Sequence, residues 1–131
     1  MKSTLLATLL LAVFGLAASG TAHAEVSVLE NRKQVQVDCA KDREVNLVGN
    51  HITATLTGTC TKVNVTGNHC TVIGSAKAVF VAGNHNTLTL EAADHIAVAG
   101  NSNTLTYKRG VAKQPPKVAN SGKDNKVTQT P

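Results

Sequence analysis

Val79-Phe80-Val81-Ala82-Gly83-Asn84-His85-Asn86-Thr87-Leu88-Thr89-Leu90 is followed, after five residues, by Ile96-Ala97-Val98-Ala99-Gly100-Asn101-Ser102-Asn103-Thr104-Leu105-Thr106-Tyr107. The two segments agree position by position, and each turns on a Gly-Asn pair. That pair occurs twice more upstream, at Gly49-Asn50 and Gly67-Asn68, so the four copies are separated by 18, 16 and 17 residues. Counting from each glycine, the position four before is Val45, Val63, Val79 and Ile96, and two before is Leu47, Val65, Val81 and Val98. Five after come Ala54, Val72, Leu88 and Leu105, and seven after come Leu56, Gly74, Leu90 and Tyr107. The residues between are mostly polar or small. Apolar alternation with period two on both sides of a corner reads as strand, turn, strand.

A coil of this size cannot bury its apolar side alone and must stack on its neighbours, as repeat arrays do. Successive coils then lie about 4.8 Å apart. The predicted fold is all-β: a small parallel β-solenoid built from repeats of about 17 residues, each coil holding two short strands and two corners. The alternative is an antiparallel β-sandwich or meander with each Gly-Asn as a two-residue hairpin turn. Hairpins prefer the Asn-Gly order, and in-register recurrence suits stacking better. Val118, Gly122, Asn125 and Val127 reproduce offsets −4, 0, +3 and +5, a partial fifth copy displaced by an insertion around residues 110–116. Val35 and Val37 alternate as a strand ahead of the first full copy. The expected organisation is a signal peptide over 1–24, a linker over 25–34, the β-repeat domain over 35–107 and a basic segment over 108–131 that contains the capping repeat.

Lys2, an apolar run over residues 5–18 and the small-x-small pattern Ala22-His23-Ala24 have the form of a cleavable secretory signal cut after Ala24. Glu25 follows, not Cys, so lipid attachment at that site is not expected. The expected location is secreted or periplasmic, with no membrane-spanning segment after cleavage. Residues 25–107 carry six basic and seven acidic side chains, whereas 108–131 carry six basic ones against Asp124 alone. The basic character therefore belongs to the C-terminal segment, which could dock on an anionic envelope polymer or protein or remain a solvated tail. Nucleic acid is not an expected partner: the chain has no Trp, and only Phe80 and Tyr107 remain after residue 24 for base stacking.

Export permits disulfides. Cys39 and Cys60 sit in non-repeat contexts about one coil apart, so stacking could bring them together as a bonded pair. Cys70 occupies a repeat position and is the free-thiol candidate, either a small buried corner residue or a reactive one. His51, His69 and His85 each stand two residues after a glycine, and Ser102 takes that place in the fourth copy. In register they form a column of imidazoles, either facing water on a backbone that His tolerates or sharing a transition metal ion. Protonation of such a column would set like charges side by side. Thr53-x-Thr55, Thr87-x-Thr89 and Thr104-x-Thr106 share offsets as well, a pattern that exposed strands favour and that some ice-binding solenoids show. The acidic residues Glu25, Glu30, Asp38, Asp42, Glu44, Glu91 and Asp94 recur with no spacing that sets up a carboxylate pair. Asp94-His95 lacks a nucleophile context, so no catalytic residue and no enzyme activity is expected.

Asp38-Cys39, Leu56-Thr57-Gly58-Thr59-Cys60, Val81-Ala82-Gly83-Asn84-His85-Asn86-Thr87-Leu88 and the ending Pro116-Lys117-Val118-Ala119-Asn120-Ser121-Gly122 with Asp124-Asn125-Lys126-Val127 resemble the bacterial secreted family called domain of unknown function 3060. The resemblance implies a small extracytoplasmic β-rich domain without an assigned activity, cofactor or catalytic residue. The chain departs from the pattern where Ile52 and Cys70 replace the later Asn86 and Asn103, which interrupts an Asn stack at that offset. Together these readings point to an exported, non-catalytic structural or interaction module at the bacterial cell envelope, without a cofactor. The alternatives are a periplasmic metal-binding protein using the histidine column and a self-assembling surface protein, because open strand edges template further strands.

Overall fold

The structure, a computed structural model, describes residues 25–40, 43–112 and 114–131. The expected signal segment 1–24 lies outside the described residues, as do Asp42 and Lys113. Nine strands follow one another: β1 (Glu25–Val28), β2 (Gln34–Asp38), β3 (Glu44–Leu47), β4 (Thr53–Val65), β5 (Thr71–Val81), β6 (Thr87–Val98), β7 (Thr104–Arg109), β8 (Lys117–Asn120) and β9 (Lys126–Gln129). All strand pairings are parallel. They wind as a β-solenoid of about six turns with a spacing near 18 residues, which removes the antiparallel sandwich or meander.

Register follows the repeat. Val26, Val45, Val63, Val79, Ile96 and Val118 pair in succession, and so do Val35, Ala54, Val72, Leu88, Leu105 and Val127. Alternate residues point to opposite faces of a strand, so these columns and their i+2 neighbours fill the interior. Leu47, Val65, Val81, Val98, Leu88 and Leu105 are all buried there. The partial copy at Val118–Val127 is a complete sixth turn, with β8 on β6 and β9 on β7.

Two expectations are corrected. Residues 25–34 are not a linker: β1 pairs with β3, and Glu30-Asn31-Arg32 forms a first corner beneath Gly49-Asn50-His51. Val26 and Val28 supply the inward alternation at offsets −4 and −2, and this turn needs no corner glycine because no coil lies beneath it among the described residues. Nor does each coil break into two short strands. β4, β5 and β6 run 13, 11 and 12 residues through the second bend. The ladder shifts register there, between Thr55 and Thr59 and between Gly74 and Ser75, and a bulge bends a strand without ending it.

The Gly-Asn corner is held by space and by backbone hand. A Cβ at Gly67, Gly83 or Gly100 would collide with the carbonyl of the preceding corner glycine. The left-handed residue is the one two positions later: Arg32, His51, His69, His85, Ser102 and Asp124 all have φ between 55 and 60°. Asn, Asp and His enter this region more readily than other side chains, which is one backbone reason for the histidines.

Candidate functional site

Two polar columns run along the Gly-Asn corner. In the first, each Asn Oδ1 accepts the backbone N–H of the next turn: Asn50 donates to Asn31 at 2.8 Å, Asn68 to Asn50 at 2.9 Å, Asn84 to Asn68 at 2.9 Å, Asn101 to Asn84 at 3.0 Å and Lys123 to Asn101 at 3.1 Å. In the second, the imidazoles stack: His51 on His69 with centroids 4.9 Å apart and planes within 3°, His69 on His85 at 5.0 Å and 4°. Their backbone N–H groups donate to Asn68, Asn84 and Asn101 carbonyls at 2.9–3.0 Å, which sets each histidine backbone in register with the next. Arg32 extends the histidine column at the N-terminal end. The columns flank an open groove of about 810 Å³.

The stacking predicted from spacing is therefore present. Its geometry governs its chemistry: imidazole lone pairs lie in the ring plane, so parallel rings direct them along parallel lines instead of onto one ion. Among the described residues no group of three His, Cys, Asp or Glu side chains is placed to hold a metal.

A third column lies inside the corner, at offset +3. Asn86 Oδ1 accepts the Cys70 N–H at 2.7 Å, Asn103 accepts Asn86 at 2.9 Å and Asn125 accepts Asn103 at 3.0 Å. Their amides donate to the corner carbonyls of Gly67, Gly83 and Gly100. Cys70 takes the Asn place, with its Sγ donating to the Gly49 carbonyl at 3.3 Å. Ile52 and Cys70 thus end the Asn stack, as their sequence positions imply. Cys70 is a buried free thiol, and burial pushes its pKa up, offset in part by the backbone at Ile52 and His51.

Cys39 and Cys60 are joined by a disulfide with Cα atoms 4.8 Å apart. Both are buried at the second bend of the first turns. The threonines align as two outward columns: Thr53, Thr71, Thr87 and Thr104, then Thr55, Ile73, Thr89, Thr106 and Thr128. The carboxylates are engaged separately. Glu91 pairs with Lys108 at 3.0 Å, Asp94 accepts the Ala112 N–H at 2.9 Å, and Glu30 reaches Lys33 at 3.5 Å.

Lys117, Lys123 and Lys126 stand exposed on the sixth turn. The basic segment is thus partly a folded coil instead of a tail. Sequence reasoning missed two features here. One is the corner at Asn31-Arg32, whose signals were Val26 and Val28 at offsets −4 and −2 and an Asn 19 residues before Asn50. The other is an apolar groove of about 330 Å³ between Phe80, Val118 and the flanking Lys62, His95 and Lys117. Its signal was Phe80 at an offset where earlier copies have Asn46 and Asn64.

The family model described as Protein of unknown function (DUF3060) matches residues 66–124, from the third corner to the sixth. No curated protein and no solved structure matches the chain.

Proposed function

From a chain whose residues 66–124 belong to the DUF3060 family, we propose an exported, non-catalytic β-solenoid that acts as a structural or interaction module at the cell envelope. Its basic sixth turn docks on anionic polymer. The observation that carries this reading is the placement of Lys117, Lys123 and Lys126 on one terminal coil, outside the ion pairs found among the described residues. Charges gathered on one end attract a polyanion through the summed field and not through a pocket. The buried disulfide supports an oxidising compartment, in line with the signal-like residues 1–24.

Retention on a heparin column tests the docking. The purified protein should bind at low salt and elute earlier once Lys117, Lys123 and Lys126 are replaced by Ala; flow-through of the unaltered protein at low salt would remove the proposal. Calorimetric titration with copper or zinc separates the metal-binding alternative. Micromolar uptake lost in a His51→Gln, His69→Gln, His85→Gln variant would move the protein into that class.

A further inference from the structure

The solenoid's ends carry residues that its interior turns exclude. At Gly49, Gly67, Gly83 and Gly100 an added Cβ would run into the carbonyl group of the corner below, with the carbonyl carbon only 2.7–2.8 Å away. Glu30 alone has a side chain at this offset, in the one turn with no coil beneath it among the described residues. A second copy stacked there in register would place its Gly122 carbonyl against the Glu30 Cβ. The C-terminal end differs. The inward position occupied by Leu47, Val65, Val81 and Val98 becomes Asn120, and the one occupied by Leu56, Leu90 and Tyr107 becomes Gln129. Gln129 Nε2 donates to the Lys108 carbonyl at 3.0 Å and Asn120 Nδ2 to that of Asn125 at 3.4 Å. Covering these amides with apolar side chains would dehydrate them without a new partner.

The remainder of both ends fits a second copy. Val26 and Val35 below share offsets −4 and +5 with Val118 and Val127 above, and all four are incompletely buried. β1, β2, β8 and β9 are each paired on one side only among the described residues, and an unpaired strand edge templates further strands. We infer that Glu30 is a steric stop, and Asn120 with Gln129 a polar one, and that together they prevent copies of this chain from continuing the solenoid end to end. The self-association expected from open edges is what these three residues withhold.

Light scattering across a concentration series tests this, with circular dichroism confirming that each variant is folded. The unaltered protein keeps its monomer mass. Glu30→Gly with Asn120→Val and Gln129→Leu gains mass as concentration rises, whereas the same variant with Glu30→Ala stays monomeric, since alanine retains the Cβ. Association of the alanine variant, of the unaltered protein, or of neither triple variant overturns the inference. If the triple variants do not fold, Glu30→Gly protein or Glu30→Ala protein is mixed with Asn120→Val, Gln129→Leu protein, so that the junction between the two species lacks the polar stop. Association confined to the glycine form supports the steric stop, and any other result removes it.

Discussion

The Gly-Asn corner and the bend on the opposite side turn the same chain by contrasting means. At the corner the second to fifth turns repeat one geometry: φ of 55–60° at the third residue, a carbonyl packed where a Cβ would stand, and an Asn accepting from the turn above. At the bend each turn differs. β4 uses Gly58 at φ 76° beside the Cys39–Cys60 bond, β5 uses Gly74 at φ 145°, and β6 passes through Ala92 and Ala93 without a glycine. Intervals of 16 to 22 residues between aligned corners require one site per turn that absorbs the difference, and the register shifts at Thr55/Thr59 and Gly74/Ser75 show where it is. Ladders demand identity on one side, and bulges tolerate variation on the other.

The sharpest way to break this contrast is one glycine on each side. Gly83→Ala drives a Cβ into the Gly67 carbonyl, backbone against backbone, with turns above and below preventing relief. The expected loss exceeds about 4 kcal/mol, beyond the usual range for a single substitution, and a urea titration should find the variant largely unfolded. Gly58→Ala meets nothing nearer than 3.8 Å and costs only the left-handed conformation, about 1 kcal/mol. Equal losses would mean that the corner is no more constrained than the bend.

Next in size is the covalent tie. Cys39 and Cys60 are 21 residues apart, and removing a cross-link over such a loop costs about 3 kcal/mol. The Cys39→Ser, Cys60→Ser variant should lose that much in urea, and reduction of the unaltered protein should match it. The bond lies where the first turns meet the irregular bend, so amide hydrogen exchange should speed up in β2 before it does in β6.

The ladder side predicts a smaller loss. Asn86 is buried, accepts from Cys70 and donates to Gly67. Asn86→Ala strands a buried N–H and a buried carbonyl, at about 2 kcal/mol. Asn50, half-buried at offset +1, should cost less when replaced by Ala, because water can reach the orphaned Asn68 N–H.

The same division governs what could be read from sequence. Where each turn must equal its neighbour, the reading worked: offsets −4, −2, +5 and +7 predicted the inward columns, and the intervals between His51, His69 and His85 predicted their stack. Val118, Gly122, Asn125 and Val127 mark a further copy in the sequence, read there as a partial fifth, and it is the sixth turn because the first corner carries no glycine. Reading failed where identity is not demanded. Glu30 stands at a corner with nothing below it among the described residues, so the glycine that marks the other corners is not required there and the first turn resembles a linker in sequence. The second bend has no recurrent residue, and its continuous strands left no trace in the periodicity. That the rings lie parallel, with their lone pairs not meeting at a common point, depends on χ angles that spacing does not encode.

Cys70 tests the boundary between ladder and core. It sits where Asn86 and Asn103 sit one and two turns later, and its thiol reaches the Gly49 carbonyl much as their amides reach Gly67 and Gly83. Burial raises its pKa above the ordinary value, so the folded state favours the neutral thiol. In the unfolded chain that thiol ionises near pH 8.5, on the order of a free cysteine. The folded state therefore binds the proton more tightly, and the associated stability is complete below that pH and falls as pH rises through the folded value. The urea midpoint of the unaltered protein should drop between pH 8 and pH 10, and thiol-reactive dye should label the native protein slowly. Cys70→Asn removes the titrating group and supplies the amide that the next two turns use. It should keep stability at pH 7 within about 1 kcal/mol, the net value of one ordinary hydrogen bond, and should lessen the alkaline decline. A Cys70→Asn protein with an unchanged alkaline decline would show that the loss arises elsewhere. One that is strongly destabilised at pH 7 would show that the second and third turns require a core residue here and not a rung.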